Sequence, residues 1–254
     1  MKKEFILGDE WLYYKIYTGP QTAEEILVKD IHPIIRSLFK KKIINSWHFV
    51  RYSNPEYHLR IRLRITSQEN LIKVIDSFNT LLKYCLTEFL VWKIETDTYS
   101  REIRRYGECS IELVEELFFI DSKIFIDFLC ITNESKDINI RWMFALKSVK
   151  TLINSFGYNE SECLQLVEKL RNSFWNEFGM NRELKRQIDD LYRVHSNKIR
   201  MFMDETEYTN FELTEIISIL NNKRIYSRVP IQKIIQLDKN DILLINLDRL
   251  IGDL

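Results

Sequence analysis

"HLRIRLRI" (His58–Ile65) decides the reading of this chain. Taken in steps of two, it gives His58, Arg60, Arg62 and Arg64, with Leu59, Ile61, Leu63 and Ile65 between them. Successive side chains of a strand point to opposite faces, so one face of this strand is apolar and the other carries a histidine and three guanidiniums. Arginine is always protonated and presents a planar fork suited to carboxylate or phosphate, so such a ladder predicts an anion site. The competing reading is structural, with each guanidinium paired to a nearby carboxylate.

The flanking segments give the ladder a place. "SWHFVRY" (Ser46–Tyr52) reads as a strand, and "SNPE" (Ser53–Glu56) as the turn that pairs it with the ladder in a hairpin. "WLYYKIYT" (Trp11–Thr18) is aromatic and β-branched and stops at Gly19-Pro20, which predicts another strand. The helix over Thr22–Lys42 has Thr22 as a candidate N-cap, Glu25 three residues on, and Pro33 as a break or kink near its middle. A second helix is expected over Ser67–Cys85, capped by Ser67, and a fourth strand over Phe89–Tyr99.

The order is βαββαβ, so the fold class is α+β and ferredoxin-like. That topology places the first and third strands at the centre, with both helices on one face. Leu59, Ile61, Leu63 and Ile65 then pack under the helices, and the ladder looks out from the open face. Tyr13, Lys15 and Tyr17 join it from the first strand, and Lys93, Glu95 and Asp97 from the fourth, unless the register slips by one.

After Gly107 the periodicity turns helical in six segments, beginning at Ser110, Ile138, Ser161, Asn181, Thr209 and Pro230. The expected division is an α+β unit over 1–106 and a helical region over 107–254, packed against it as one domain and forming a cleft with the open face.

Bulk properties narrow the function classes. The 254 residues include 37 basic and 37 acidic side chains, a net charge of +0, so any basic function must come from local clustering. Cys85, Cys109, Cys130 and Cys163 form no CxxC pair, which predicts largely buried thiols and neither disulfide nor zinc. No apolar run approaches the ~20 residues of a membrane span, and the N-terminus lacks a signal-peptide core, so a cytoplasmic protein without a membrane partner is expected. P-loop, GxGxxG, HExxH and GxSxG motifs are absent, and neither cofactor nor metal is called for.

A second basic cluster, "TDTYSREIRRYGE" (Thr96–Glu108), follows the fourth strand. Its Tyr99, Glu102, Arg105 and Tyr106 fall within about two turns if helical, and Arg105 is a candidate second guanidinium for the ladder's anion. Of the histidines, His32 reads as structural, His48 faces either way, and His195 is a surface group or a base supplied by the helical half.

Together these segments resemble the elimination domain of lantibiotic dehydratases, also found alone as thiopeptide-type bacteriocin biosynthesis proteins. The resemblance rests on "YTG", "WHFVRYSNPEYHLRIRLR" and "ETDTYSREIRRYG" within residues 11–107, and on a closing "DRLIG" (Asp248–Gly252) similar to the family's NRLxG. It implies a lyase that removes glutamate from glutamylated Ser or Thr of a ribosomally made precursor peptide. It also implies a separate partner that glutamylates the peptide from glutamyl-tRNA. Arg60 or Arg62, together with Arg105, are carried over as glutamate-binding groups, with His58, Tyr99 and Glu102 as supporting candidates. One departure stands out: Leu244 occupies the place of a histidine that many elimination domains carry, and Asp248 replaces their asparagine. His58, His195 or Tyr99 are the candidate substitutes as base. Two alternatives stay open within the resemblance: a formal [4+2] cycloaddition that builds the pyridine of thiopeptides, and a silent subunit holding the precursor peptide. An RNA-binding sheet is a further class, but the third strand lacks the aromatics that stack bases, so no direct nucleic-acid partner is expected. Homodimer formation is left open.

Overall fold

The computed structural model describes residues 1–132, 139–204 and 211–254. Contacts divide the chain into two compact units, Met1–Cys130 and Ile131–Leu254.

The first unit is built on a four-stranded antiparallel sheet. After a short strand β1 (Glu4–Phe5), its strands are β2 (Trp11–Tyr17), β3 (Ile44–Tyr52), β4 (His58–Ile65) and β5 (Lys93–Thr96), in the order β3-β4-β2-β5. This is the ferredoxin-like arrangement, with the ladder strand β4 at the centre. Register sets Trp11 opposite Arg64, Tyr13 opposite Arg62, Lys15 opposite Arg60 and Tyr17 opposite His58. On the other side of β4, His48 faces Arg62 and Tyr52 faces His58. Leu59, Ile61 and Leu63 are fully buried with Leu12, Ile16, Ile35 and Phe78 in the main core.

Two helical segments cover that apolar face. The first starts earlier than Thr22: α1 (Pro20–Ile26) has Gly19 at its N-cap and Pro20 at the first helical position, with no side-chain cap. Proline needs no N–H there and its fixed φ suits the turn, so it sets the start in place of the hydroxyl. Pro33 is accommodated by a π-helical turn, Leu27–Ile31, before α2 (His32–Lys40) resumes. Its missing N–H leaves no α-type bond to make, and the wider turn lets the chain continue. Helix α3 (Leu71–Thr87) is preceded by a 3₁₀ turn, and Ser67 makes no side-chain cap bond.

The fourth strand is shorter than its aromatic pattern suggests. Only Lys93–Thr96 joins the sheet, while β6 (Tyr99–Ser100) turns away and pairs with β1 in a separate ribbon. A four-residue helix α4 (Ile103–Tyr106) ends at Gly107, whose φ of +79° suits glycine. Helix α5 (Ile111–Thr132) stays with the sheet and runs along the exposed edge of β3. Ser122 Oγ on α5 accepts from the Phe49 N–H at 3.2 Å, and Phe119 packs edge-on against Trp47. The helix thereby covers an edge that would otherwise present bare hydrogen-bonding groups. The thiols are less buried than expected: Cys85 alone is buried, while Cys109 and Cys130 are exposed.

The second unit holds α6 (Asn139–Ser155), α7 (Glu160–Glu177), α8 (Arg182–Asp204), α9 (Phe211–Lys239) and α10 (Leu247–Asp253). Helix α7 opens with a full capping box between Asn159 and Glu162. Pro230 starts no new helix; it lies inside α9. No described helix is long and apolar enough to cross a membrane.

The terminal "DRLIG" acquires a structural reason. A Cβ on Gly252 would sit 2.5 Å from Leu170 Cδ2, so glycine lets α10 lie close against α7. Gly252→Ala is expected to cost about 1 kcal/mol, because Leu170 can partly turn aside. Chemical denaturation checks this, and Leu170→Ala in the same chain should cancel the added cost.

Candidate functional site

The open face of the sheet carries His58, Arg60, Arg62 and Arg64 as the alternation predicts, flanked by Tyr13, Lys15 and Tyr17 on β2. Among the described residues, none of the three guanidiniums has a carboxylate within ion-pair distance. The acids of this face are engaged elsewhere: Asp97 binds Lys15, and Glu95 binds Lys93 at 2.6 Å and accepts from the Tyr17 hydroxyl at 2.8 Å. Asp97 is held below the usual carboxylate range chiefly by that bond to Lys15, with Arg60's charge contributing less.

Aromatic rings take the place of counter-charges. The Arg60 guanidinium lies 3.6 Å from the Tyr52 ring centroid. That of Arg62 sits between two rings, 4.7 Å from Tyr13 and 4.9 Å from Tyr99. Such contacts offset part of the desolvation of a cation without neutralising it.

Hydrogen bonds then distinguish the two arginines. Buried His58 donates from Nδ1 to the Glu56 carbonyl at 2.7 Å, which leaves Nε2 to accept from Arg60 Nε at 3.0 Å. That holds Arg60 by its stem and leaves its terminal nitrogens for a ligand. Arg62 instead directs Nη1 at His48 Nε2, 3.3 Å away. Its Nε is buried without a partner in the protein, as are His48 Nδ1 and Trp11 Nε1. His48 and Trp11 are in edge-on contact at 5.4 Å, so the three orphaned donors belong to touching residues. Arg60 is thus engaged only at Nε, whereas Arg62 is directed at His48 through Nη1.

Tyr99 belongs to the ladder's surroundings and not to the short helix after it. Its hydroxyl donates to Glu115 Oε1 at 2.8 Å, and burial followed by the Glu115 charge pushes its pKa far up. A phenol so placed stays neutral and acts as a donor, not as a base. Glu115 in turn receives a two-pronged contact from Arg101, with both bonds at 2.7 Å and both side chains almost fully buried. This pair fastens α5 to the segment after β6 and spends the Glu115 charge on Arg101, so Tyr99 shields Arg62 from an already neutralised acid. The sequence pattern does not single out Arg101 and Glu115; only the period-two step from Tyr99 to Arg101 hints at them.

Glu102 and Arg105 lie apart, in an exposed groove with Lys3 and Arg104. They pair with each other at 3.3 Å across one turn. Only Ile103–Tyr106 is helical here, so the expected two-turn cluster does not form; the chain swings aside to make the β1–β6 ribbon. In the second unit, His195 rests edge-on against Trp142 at 5.6 Å. Leu244 is 80% exposed, and Asp248 accepts from Tyr158 and Lys169, each at 2.6 Å. These two contacts, Lys169 first, hold the Asp248 carboxyl below its usual range. Among the described residues no cluster of side chains could hold a metal ion.

A family model described as "Lantibiotic biosynthesis dehydratase C-term" matches residues 11–254. The chain belongs to that family. No curated protein matches it significantly. Of the solved structures, the tRNA-dependent lantibiotic dehydratase MibB from Microbispora sp. 107891 superposes with a TM-score of 0.68 at 16% identity, covering 97% of this chain and 25% of that one. TsrL gives 0.69 at 11%, covering 93% and 71%. The pyridine synthase TbtD, from thiomuracin biosynthesis, gives 0.56 at 11%, covering 96% and 95%. At such identities the likeness speaks to the fold, and the chain spans about a quarter of MibB.

Two tests bear on this architecture. Arg101→Ala strands the Glu115 carboxylate and is expected to cost about 3–5 kcal/mol, whereas Arg101→Met with Glu115→Leu should cost much less. Denaturant unfolding of both variants measures the difference. Burial, and next the Arg62 charge, hold the His48 pKa well below its usual 6.5. The folded protein thus keeps His48 neutral while the unfolded chain takes up a proton below pH 6.5, so stability falls as pH drops through that value. His48→Gln should remove up to about 1.4 kcal/mol per pH unit of that slope, leaving the weaker contribution of His32, which is lowered mainly by burial.

Proposed function

We propose that this chain removes glutamate from glutamylated Ser or Thr residues of a ribosomally made precursor peptide, leaving dehydroamino acids. Membership of the dehydratase C-terminal family supports this reading, and one observation carries it: a central strand offers guanidiniums that no carboxylate among the described residues has claimed. In the reaction a base takes the Cα proton, the Cβ–O bond breaks, and glutamate departs as a carboxylate. Guanidiniums placed beforehand stabilise that leaving carboxylate without reorganising. Arg60 grips it through its terminal nitrogens, Arg62 raises the local positive potential, and His58 and Tyr99 hold the two in place. Arg105 and Glu102, paired with each other in their own exposed groove, are left outside this pocket. The protein works with a separate subunit that glutamylates the peptide from glutamyl-tRNA.

A second reading is the [4+2] cycloaddition. It is favoured by the fold likeness to the pyridine synthase TbtD, and by Leu244 standing where the resemblance places a histidine in many eliminating relatives.

Reconstitution separates them. Elimination converts glutamylated peptide into a product one water lighter than the unmodified peptide; cycloaddition leaves that adduct untouched and acts on peptides that already carry dehydroalanines. Arg60→Ala and Arg62→Ala should each slow elimination by about 10²–10³-fold and let the glutamylated peptide accumulate. Unchanged turnover in both variants would remove the ladder from the mechanism.

A further inference from the structure

The second unit contains a groove of its own chemistry, remote in sequence from the ladder. It lies between α6 and α9 and encloses about 550 Å³. Arg224 and Arg228 stand one turn apart on the same face of α9. Neither has a carboxylate within ion-pair distance among the described residues. Asn154, Asn221 and Gln232 supply side-chain amides around them, and among the described residues no acid lines the groove. An ordinary solvated helix pair carries charges of both signs, whereas the charged side chains among this groove's described lining are all cations, set among amides, hydroxyls and a few aliphatic groups.

We propose that the groove binds an acidic stretch of peptide. Each guanidinium takes a Glu or Asp carboxylate through its fork, and the amides, which both donate and accept, bond the peptide backbone. A nucleic acid fits less well: among the described residues no aromatic side chain lines the groove to stack a base, and two arginines make a short track for phosphates. The cavity volume is in the range of ordinary binding clefts and suits a few residues of peptide. That this stretch belongs to the peptide substrate rests on the function proposed above; the preference for carboxylates does not.

The full chain is titrated with a short fluorescein-labelled peptide of alternating glutamate and alanine, with its glutamine counterpart, and with an oligouridylate of equal charge. The glutamate peptide should bind, and R224Q/R228Q should weaken it by about tenfold or more. The charge-reversed R224E/R228E should instead select the lysine counterpart, a gain that misfolding cannot produce. Arg60→Gln, which disables the ladder, should leave the glutamate peptide bound; binding that depends on Arg60 and ignores Arg224 and Arg228 overturns the proposal. Equal binding of the glutamine peptide, or tighter binding of the oligouridylate, overturns it as well. Because these titrations need no turnover, they stand or fall apart from the elimination assay.

Discussion

The pairing of β4 between β2 and β3 governs the first unit. Antiparallel register is set residue by residue, and a slip of one would drive Arg60, Arg62 and Arg64 into the core and Leu59, Ile61 and Leu63 into solvent. Burying three guanidiniums among Ile16, Phe78 and Ile35 would cost many kilocalories, so the apolar half of the alternation enforces the placement of the cationic half. Fold and site are therefore one constraint. The residues that hold the sheet on its helices are those that aim the arginines the other way.

A face with three close positive charges raises its own energy, and among the described residues no carboxylate comes within ion-pair distance to relieve it. Stacking on Tyr52, Tyr13 and Tyr99 offsets part of the desolvation but leaves the charge unspent. Meanwhile the acids within reach are bound to other cations: Asp97 to Lys15, Glu95 to Lys93, Glu115 to Arg101. The purely structural reading of the ladder requires those acids to pair with it. Their diversion keeps the site positive, and unspent charge is what an anionic leaving group can use.

Most of this face is legible in the amino-acid sequence alone. Alternation and strand order put Arg60 and Arg62 on one face with Tyr13, Lys15 and Tyr17, whereas the pairing of Arg60 with Lys15 and of Arg62 with Tyr13 is a matter of register that the structure supplies. Trp11 and Tyr52 lie one step further along the same alternations, and the sequence reading passes over them. The ribbon of β1 and β6 is invisible in the sequence because two-residue strands carry no period. The Glu115–Arg101 contact is invisible because α5 looks amphipathic wherever it docks, and nothing in its pattern names the strand edge it covers. Pro20, Pro33 and Pro230 show the same limit: each marks a constraint on the backbone, and whether it starts, widens or merely interrupts a helix depends on which carbonyl it leaves exposed.

The arrangement also divides the chemistry that the proposed elimination requires. A departing carboxylate is a weak base and needs charge stabilisation, not a proton, so a guanidinium face is enough for that half. Proton removal from Cα needs a free lone pair near neutrality. His58 spends its Nε2 lone pair on Arg60, His48 is sealed and turned to Arg62, and Tyr99 is a donor to Glu115. The ladder is thus complete as a holder and unsuited to act as a base. If the chain performs the elimination proposed above, the proton-accepting group therefore comes from outside the ladder, from a side chain whose lone pair is not already committed to a guanidinium.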